Sequence, residues 1–374
     1  MAKAPATFSL KDQLFNAQSL GDLADQFTTL PGFERDRFHA AALGGVAERT
    51  LLECLDWFAD CLEPYLAPDF PTMADQLEAT MTPPLDPTLR DDDFGRFVHA
   101  VPGILAVRHG LEDHRDRALD LLYAATQRFS MEFYIRAFLN RWPEETLARL
   151  EAWARDDNYH VRRLVSEGTR PKLPWARKID ITSAQALPLL DLLQGDPTRF
   201  VTRSVANHLN DVAKSDADAV LTRLAQWEAA GTQKPAEPAW MRRHALRTLV
   251  KDGHPGAMEM LGYVPDAPVT VAVSVATPKV KLGAALEFEV VLGADAAVPV
   301  LVDYRIRFAR PGGRSGEKVF KLKVGEVRAG KPLVLKKVHK LKANATTFEL
   351  HPGVHGLVVQ VNGVDRAETS FEIC

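Results

Sequence analysis

HVRRLVSEGTRPKLPW (160–175), RFVTRSVANHLNDVA (199–213) and MRRHALRTLVK (241–251) decide the architecture of this 374-residue chain. Arg163, Arg203 and Arg243 follow one another at intervals of 40 residues. Each lies near the start of a run whose apolar residues recur every three or four positions, the pattern of an amphipathic helix. Another helical segment precedes each run. Helix pairs repeating at about 40 residues stack on their neighbours to bury a continuous core, giving a HEAT-type solenoid with a concave surface.

Outward from these runs, helical periodicity extends from about residue 8 to 262, as in LLECLDWFADCLEPYL (51–66). In NRWPEETLARLEAWARDDN (140–158), Pro143 suits a first helical turn, and Glu144 and Glu145 suit the positive end of a helix dipole. Asp156, Asp157 and Asn158 then make a turn before the next helix. After Gly262 the character changes. TVAVSVATPKVKLGAALEFEVVLG (270–293) alternates and is rich in valine, and similar runs continue to residue 374. About seven short strands over roughly a hundred residues predict an immunoglobulin-like β-sandwich, here without the Cys…Trp…Cys hallmark. The expected fold is multidomain, α then β: a helical solenoid over 1–264, a linker around YVPDAPVT (263–270), and a sandwich over 265–374.

Composition fits a soluble globular protein, with 46% hydrophobic and 25% charged residues. No apolar run is long enough to cross a bilayer, so no membrane partner is expected. MAKAPATFSLKDQLF (1–15) lacks the apolar core of a secretory signal, and a cytoplasmic location is expected. Cys54, Cys61 and Cys374 form neither a disulfide framework nor a zinc pattern. His109, His114, His160, His208, His244 and His254 show no metal-ligand spacing, and no phosphate-binding glycine loop precedes a helix. No metal, nucleotide or other cofactor is implied. The net charge of −3 conceals a gradient. Residues 1–120 hold ten Lys/Arg against twenty-one Asp/Glu, whereas residues 269–374 hold sixteen against ten. Such segregation leaves room for a local phosphate-binding surface despite the overall sign.

Helical pitch places Arg163, Glu167 and Arg170 on one side of the first run, Arg203, Asn207, Asn210 and Asp211 on the second, and Arg243, Arg247 and Lys251 on the third. Two readings stand side by side: a solvated face with salt bridges between repeats, or a polar and basic track for phosphates.

The residues themselves add a resemblance. HVRRLVSEGTRPKLPWARKI (160–179) resembles the central motif of the AlkC-type DNA alkylation repair proteins. RSVANHLNDVAKSDAD (203–218), SMEFYIRAFL (130–139) and RHALRTLVKDGHPGAMEMLGY (243–263) are similar to the flanking motifs of that family. The sandwich fits a subgroup with an immunoglobulin-like extension. The resemblance implies a monofunctional DNA glycosylase that removes cationic N-alkylated bases, 3-methyladenine and 3-methylcytosine, from duplex DNA without deep base flipping. It implies catalytic roles for Glu132, Glu167 and Asp211 as carboxylates and for Trp175 as the aromatic. Arg163, Arg170, Lys172, Arg203, Asn207, Asn210 and Arg247 are then the candidates for phosphate contact. In the sandwich, RIRFARPGGRSGEKVFKLK (305–323) offers Arg310 and Arg314 at a glycine-rich hairpin tip, where the other reading is a solubilising loop. The partner would be alkylated double-stranded DNA, bound by a monomer.

Each catalytic candidate also has a packing role to set against it. Glu132 can cap or pair with Arg136, Glu167 can pair with Arg163 four residues away, Asp211 can cap a turn, and Trp175 can pack on the next helix pair. The rival function is a non-catalytic HEAT scaffold that binds DNA or protein.

Overall fold

The computed structural model describes residues 10–89, 91, 93–310, 315–342 and 350–374. They form helices up to Met260 and strands from Thr270, in the expected order of α then β.

The helix ends follow from local chemistry. Asn16 accepts from the backbone N–H of Gln18 and Ser19 and so caps Ala17–Gln26. Thr50 with Glu53 and Thr182 with Gln185 make reciprocal capping boxes at the starts of Leu51–Leu62 and Ser183–Leu193. Helix Pro143–Trp153 opens on its proline, as expected. The turn after it ends at Asn158, whose side chain caps Tyr159–Gly168 by accepting from His160 N–H.

Successive helix pairs lean on one another at similar sequence offsets. Tyr123 Oη donates to Asp156, Arg162 pairs with Asp196, Gln194 donates to Thr232, and Arg199 pairs with Glu237, separations of 33 to 38 residues. The 40-residue period is therefore visible as stacking between neighbouring repeats. The third run is less regular than expected, because a turn at Leu246 divides Glu237–Ala245 from Arg247–Lys251.

The chain packs as two compact units: residues 1–212 with 227–241, and residues 213–226 with 242–374. The change of secondary structure near residue 264 and the division of packing thus fall at different places. In the second unit the strands are β1 (Thr270–Val275), β2 (Lys279–Val280), β3 (Ala285–Gly293), β4 (Val298–Ala309), β5 (Ser315–Val327), β6 (Leu333–Lys340), β7 (Gly353–Val361) and β8 (Val364–Ile373). One sheet runs β1-β3-β6 and the other β2-β8-β7-β4-β5. Alternate residues such as Leu286, Phe288, Val290, Val300, Val302 and Tyr304 fill the core between them. Residues 242–264 join this unit through backbone approach. A Cβ at Gly253 (φ +73) would lie 2.8 Å from the Gly363 carbonyl oxygen. Asn362 Nδ2 and Arg366 donate to the carbonyls of Val264 and Pro265.

Candidate active site

The charged stripe expected on a solvated face lies largely inside the first unit. Helix Tyr159–Gly168 packs against Arg199–Val212, and the segment before residue 97 runs over both. Its turn depends on Gly95 (φ +67), where a Cβ would sit 1.9 Å from the Arg128 carbonyl oxygen. That turn sets Phe94 edge-on against Phe200 and brings Asp91 to Arg203 at 2.5 Å.

Beneath this cover runs a chain of alternating charges. Glu132 Oε2 accepts from Ser130 Oγ at 2.7 Å and from Arg163 Nη1 at 2.8 Å. The Arg163 guanidinium lies over the Phe200 ring and approaches Glu167 at 3.8 Å. Glu167 accepts from Ser204 Oγ at 2.6 Å and from Arg170 Nη1 at 2.5 Å. Arg170 continues to Asp211, giving Nε and Nη2 to one carboxylate oxygen at 3.0 and 2.8 Å. Three carboxylates thus alternate with two guanidinium groups. Burial by itself would raise the pKa of Glu167; the flanking Arg163 and Arg170 overcome it and hold the carboxyl below its usual range. The same carboxylates outweigh burial at Arg163 and Arg170 and keep both charged. His160 and His208, by contrast, are pushed down to about 4 by burial and stay neutral.

Above the charges lies a pocket of about 380 Å³. Phe94, Phe97, Phe129, Phe133, Phe200 and Trp175 form its walls, and Asp93, Glu132, Arg163, Glu167 and Arg170 supply its charges. Phe94 and Trp175 are 52% and 62% exposed, so two aromatic faces are offered to whatever approaches. Trp175 holds a left-handed backbone (φ +64), a strained state for a non-glycine residue.

A clamp explains how that loop is held, and sequence reasoning missed it. Arg136, almost wholly buried, donates to the carbonyls of Arg177 at 2.6 Å, Gly168 at 3.1 Å and Arg170 at 2.8 Å. Burial lowers its guanidinium to about 10. Asn140 adds a bond to the Lys178 carbonyl and accepts from Asp180 N–H. The sequence offers Arg136 only as a partner for Glu132, because spacing shows side-chain neighbours on one helix and not a distant loop's carbonyls.

The predicted residues therefore fall into groups. Glu132, Glu167 and Trp175 line one pocket, and Asp211 stands behind them through Arg170. Arg163, Arg170 and Asn210 are buried or nearly so, which corrects their placement on a phosphate-facing surface. Arg203 and Asn207 are half-buried, while Lys172, Arg247 and Arg310 are exposed. Arg314 lies outside the described residues. Arg177 and Lys178 are also exposed beside Trp175, and their place in RPKLPWARKI was the available signal. In the sandwich, Arg305 and Arg307 are matched by Glu317, Asp365 and Glu368 across the strands, and Arg310 after them is exposed. Among the described residues no cluster of His, Cys, Asp and Glu is arranged to hold a metal ion.

Comparison with known proteins bears directly on this geometry. Residues 125–249 match the family described as DNA alkylation repair enzyme, and residues 270–374 match the C-terminal Ig-like domain of the uncharacterised protein YhaZ. The Bacillus subtilis YhaZ protein is 32% identical over 265 residues, covering 70% of this chain and 73% of that protein. The structure of Pseudomonas fluorescens alkylpurine DNA glycosylase AlkC, bound to DNA with an abasic site analogue, superposes with a TM-score of 0.84 at 31% identity, covering 98% of this chain and all of that one. The chain belongs to the AlkC-type DNA alkylation repair family. Its helical part carries the repair-enzyme match, and the pocket built from residues 93–200 falls largely within the matched stretch. The YhaZ-type Ig-like domain accounts for the β-sandwich.

Proposed function

We propose that this chain is a monofunctional DNA glycosylase acting on cationic N-alkylated bases of duplex DNA, with 3-methyladenine and 3-methylcytosine as substrates. One observation carries the reading: an aromatic-walled pocket whose lining carboxylates, Asp93, Glu132 and Glu167, outnumber its guanidinium groups, Arg163 and Arg170. Aromatic faces and excess negative charge favour a cation. They also favour the oxocarbenium-like deoxyribose that develops as the bond breaks.

A cationic base leaves with the C1′–N electron pair and becomes neutral, so no strong general acid is required. Both contacts of Glu132 fall on Oε2, leaving Oε1 to hold the attacking water. Glu167 is spent on Arg170 and Ser204 and acts as a fixed negative charge. Asp211 positions Arg170, and Trp175 meets the lesion at the mouth, where no deep enclosure of the base is needed. Lys172 and Lys178 beside it hold the backbone phosphates, with Arg203, Asn207, Arg247, Arg310 and Arg314 as further contacts.

Release of free base from methylated duplex DNA tests this, comparing the wild type with Glu132→Gln, Glu167→Gln and Asp211→Asn. Loss of release in the Glu132 or Glu167 variant while DNA binding persists supports the assignment. DNA binding with no release from any of the proteins leaves the rival scaffold.

A further inference from the structure

Trp175 and Phe133 belong to two pockets. On their other side lies a second hollow of about 390 Å³, within the size range of about 300–1,000 Å³ usual for small-molecule sites. Leu55, Ile104 and Val107 form its apolar floor, with Phe133, Tyr134 and Trp175 as aromatic walls. Its charges differ in kind from those of the first pocket. Arg108 is neutralised by Asp60 at 2.6 Å and Glu63 at 3.1 Å. Among the described residues Asp56 pairs only with Arg108, at 3.7 Å, so its oxygens remain available as acceptors. Arg177, whose carbonyl is held by Arg136, pairs its guanidinium with no carboxylate among the described residues. The hollow thus presents flat faces, one acceptor and one donor.

We infer that this second pocket binds the excised base: a neutral, planar purine stacked against Trp175, its exocyclic amine on Asp56 and a ring nitrogen on Arg177. The inference rests on the glycosylase reading and extends it. Water's oxygen forms the new bond to C1′, the C1′–N bond breaks with its electron pair going to the base, and water's proton passes to a carboxylate or solvent. The base loses its positive charge in that step. It therefore loses its attraction to the carboxylate-rich pocket, while the apolar hollow across Trp175 suits its neutral form.

The test uses the full chain, free 3-methyladenine as the probe, and the variants Leu52→Phe, which fills the hollow from a partly exposed helix position, and Asp56→Asn. Binding of 3-methyladenine is measured by calorimetry without DNA, and its inhibition of base release is measured under multiple turnover. The expected result is binding and inhibition by the free base in the wild type. Both constants should weaken at least tenfold in each variant, with initial single-turnover release unchanged. Unchanged constants in the variants place the base elsewhere and overturn the inference. So does a protein that ignores the free base but loses affinity for undamaged duplex in both variants, since the hollow then takes a base still attached to DNA. Binding that depends on Asp56 in a wild type that releases no base upholds the pocket and removes the glycosylase reading instead.

Discussion

Trp175 keeps its backbone at φ +64 although a left-handed conformation costs an L-residue about 1–2 kcal/mol. Strain of that kind persists where the surroundings impose it, and here it turns a large aromatic ring out beside buried carboxylates. Trp175→Gly should therefore be more stable than Trp175→Ala by about 1 kcal/mol in urea unfolding, while both lose most of their base-release rate. Equal stabilities would remove the strain argument. The buried histidines make a second residue-scale prediction. His160 and His208 are held near 4, below an unfolded value of about 6.5. Between those values the unfolded chain binds protons that the folded chain refuses, so stability is full above about pH 6.5 and falls as pH drops toward 4. Urea midpoints across pH 7 to 4 should show the decline, and His160→Phe should flatten it in part; a midpoint independent of pH over that window contradicts it. Glu167, Arg163 and Trp175 were readable from motif positions. The burial of Glu167 and Arg163 was not, because a helical wheel gives a face but not what covers it. The covering residue, Phe94, comes from a glycine turn in a segment without periodicity.

Helix and loop meet at Arg136, and that contact belongs to the element scale. Helix Ile135–Arg141 supplies one guanidinium that holds three carbonyls of the 168–177 segment. Arg136→Met would strand those carbonyls, at about 1–3 kcal/mol for each that water cannot reach. We expect lower thermal stability, faster proteolysis within 169–178, and a rate of base release reduced at least tenfold under saturating protein. DNA affinity should change by less than threefold. Intact activity with the loop cleaved readily would show that the clamp does not serve catalysis. At this scale the sequence was informative wherever chemistry is local: caps, the Pro143 helix start, the Asn158 turn and the alternation of the strands all follow from neighbouring residues. The turn at Leu246 and the grouping of residues 242–264 with the sandwich escaped it. Gly253 against Gly363 is a contact between residues 110 positions apart, with no periodic signal at either end.

Charge is unevenly distributed along the chain, and on the proposed function this separates chemistry from grip. The first third of the chain is strongly acidic, and the most exposed cations of the helical motif, Lys172, Arg177 and Lys178, cluster at the Trp175 loop. The basic sandwich leaves room in its sequence for a local phosphate-binding surface, yet Arg305 and Arg307 are already matched by Glu317, Asp365 and Glu368. Arg310 is exposed at the end of β4, and Arg314 follows it in the sequence. If these two residues neutralise phosphates, each contributes about 0.9 to the slope of log affinity against log salt. The double variant Arg310→Ala/Arg314→Ala should bind duplex DNA more weakly and show a slope shallower by about 1.8. Its single-turnover base release at saturating protein should match the wild type, because the pocket at residues 93–200 is untouched. An unchanged slope would make the tip a solubilising loop. A reduced chemical rate at saturation would instead tie the sandwich to the reaction itself, and the division between a gripping domain and a reacting one would fail.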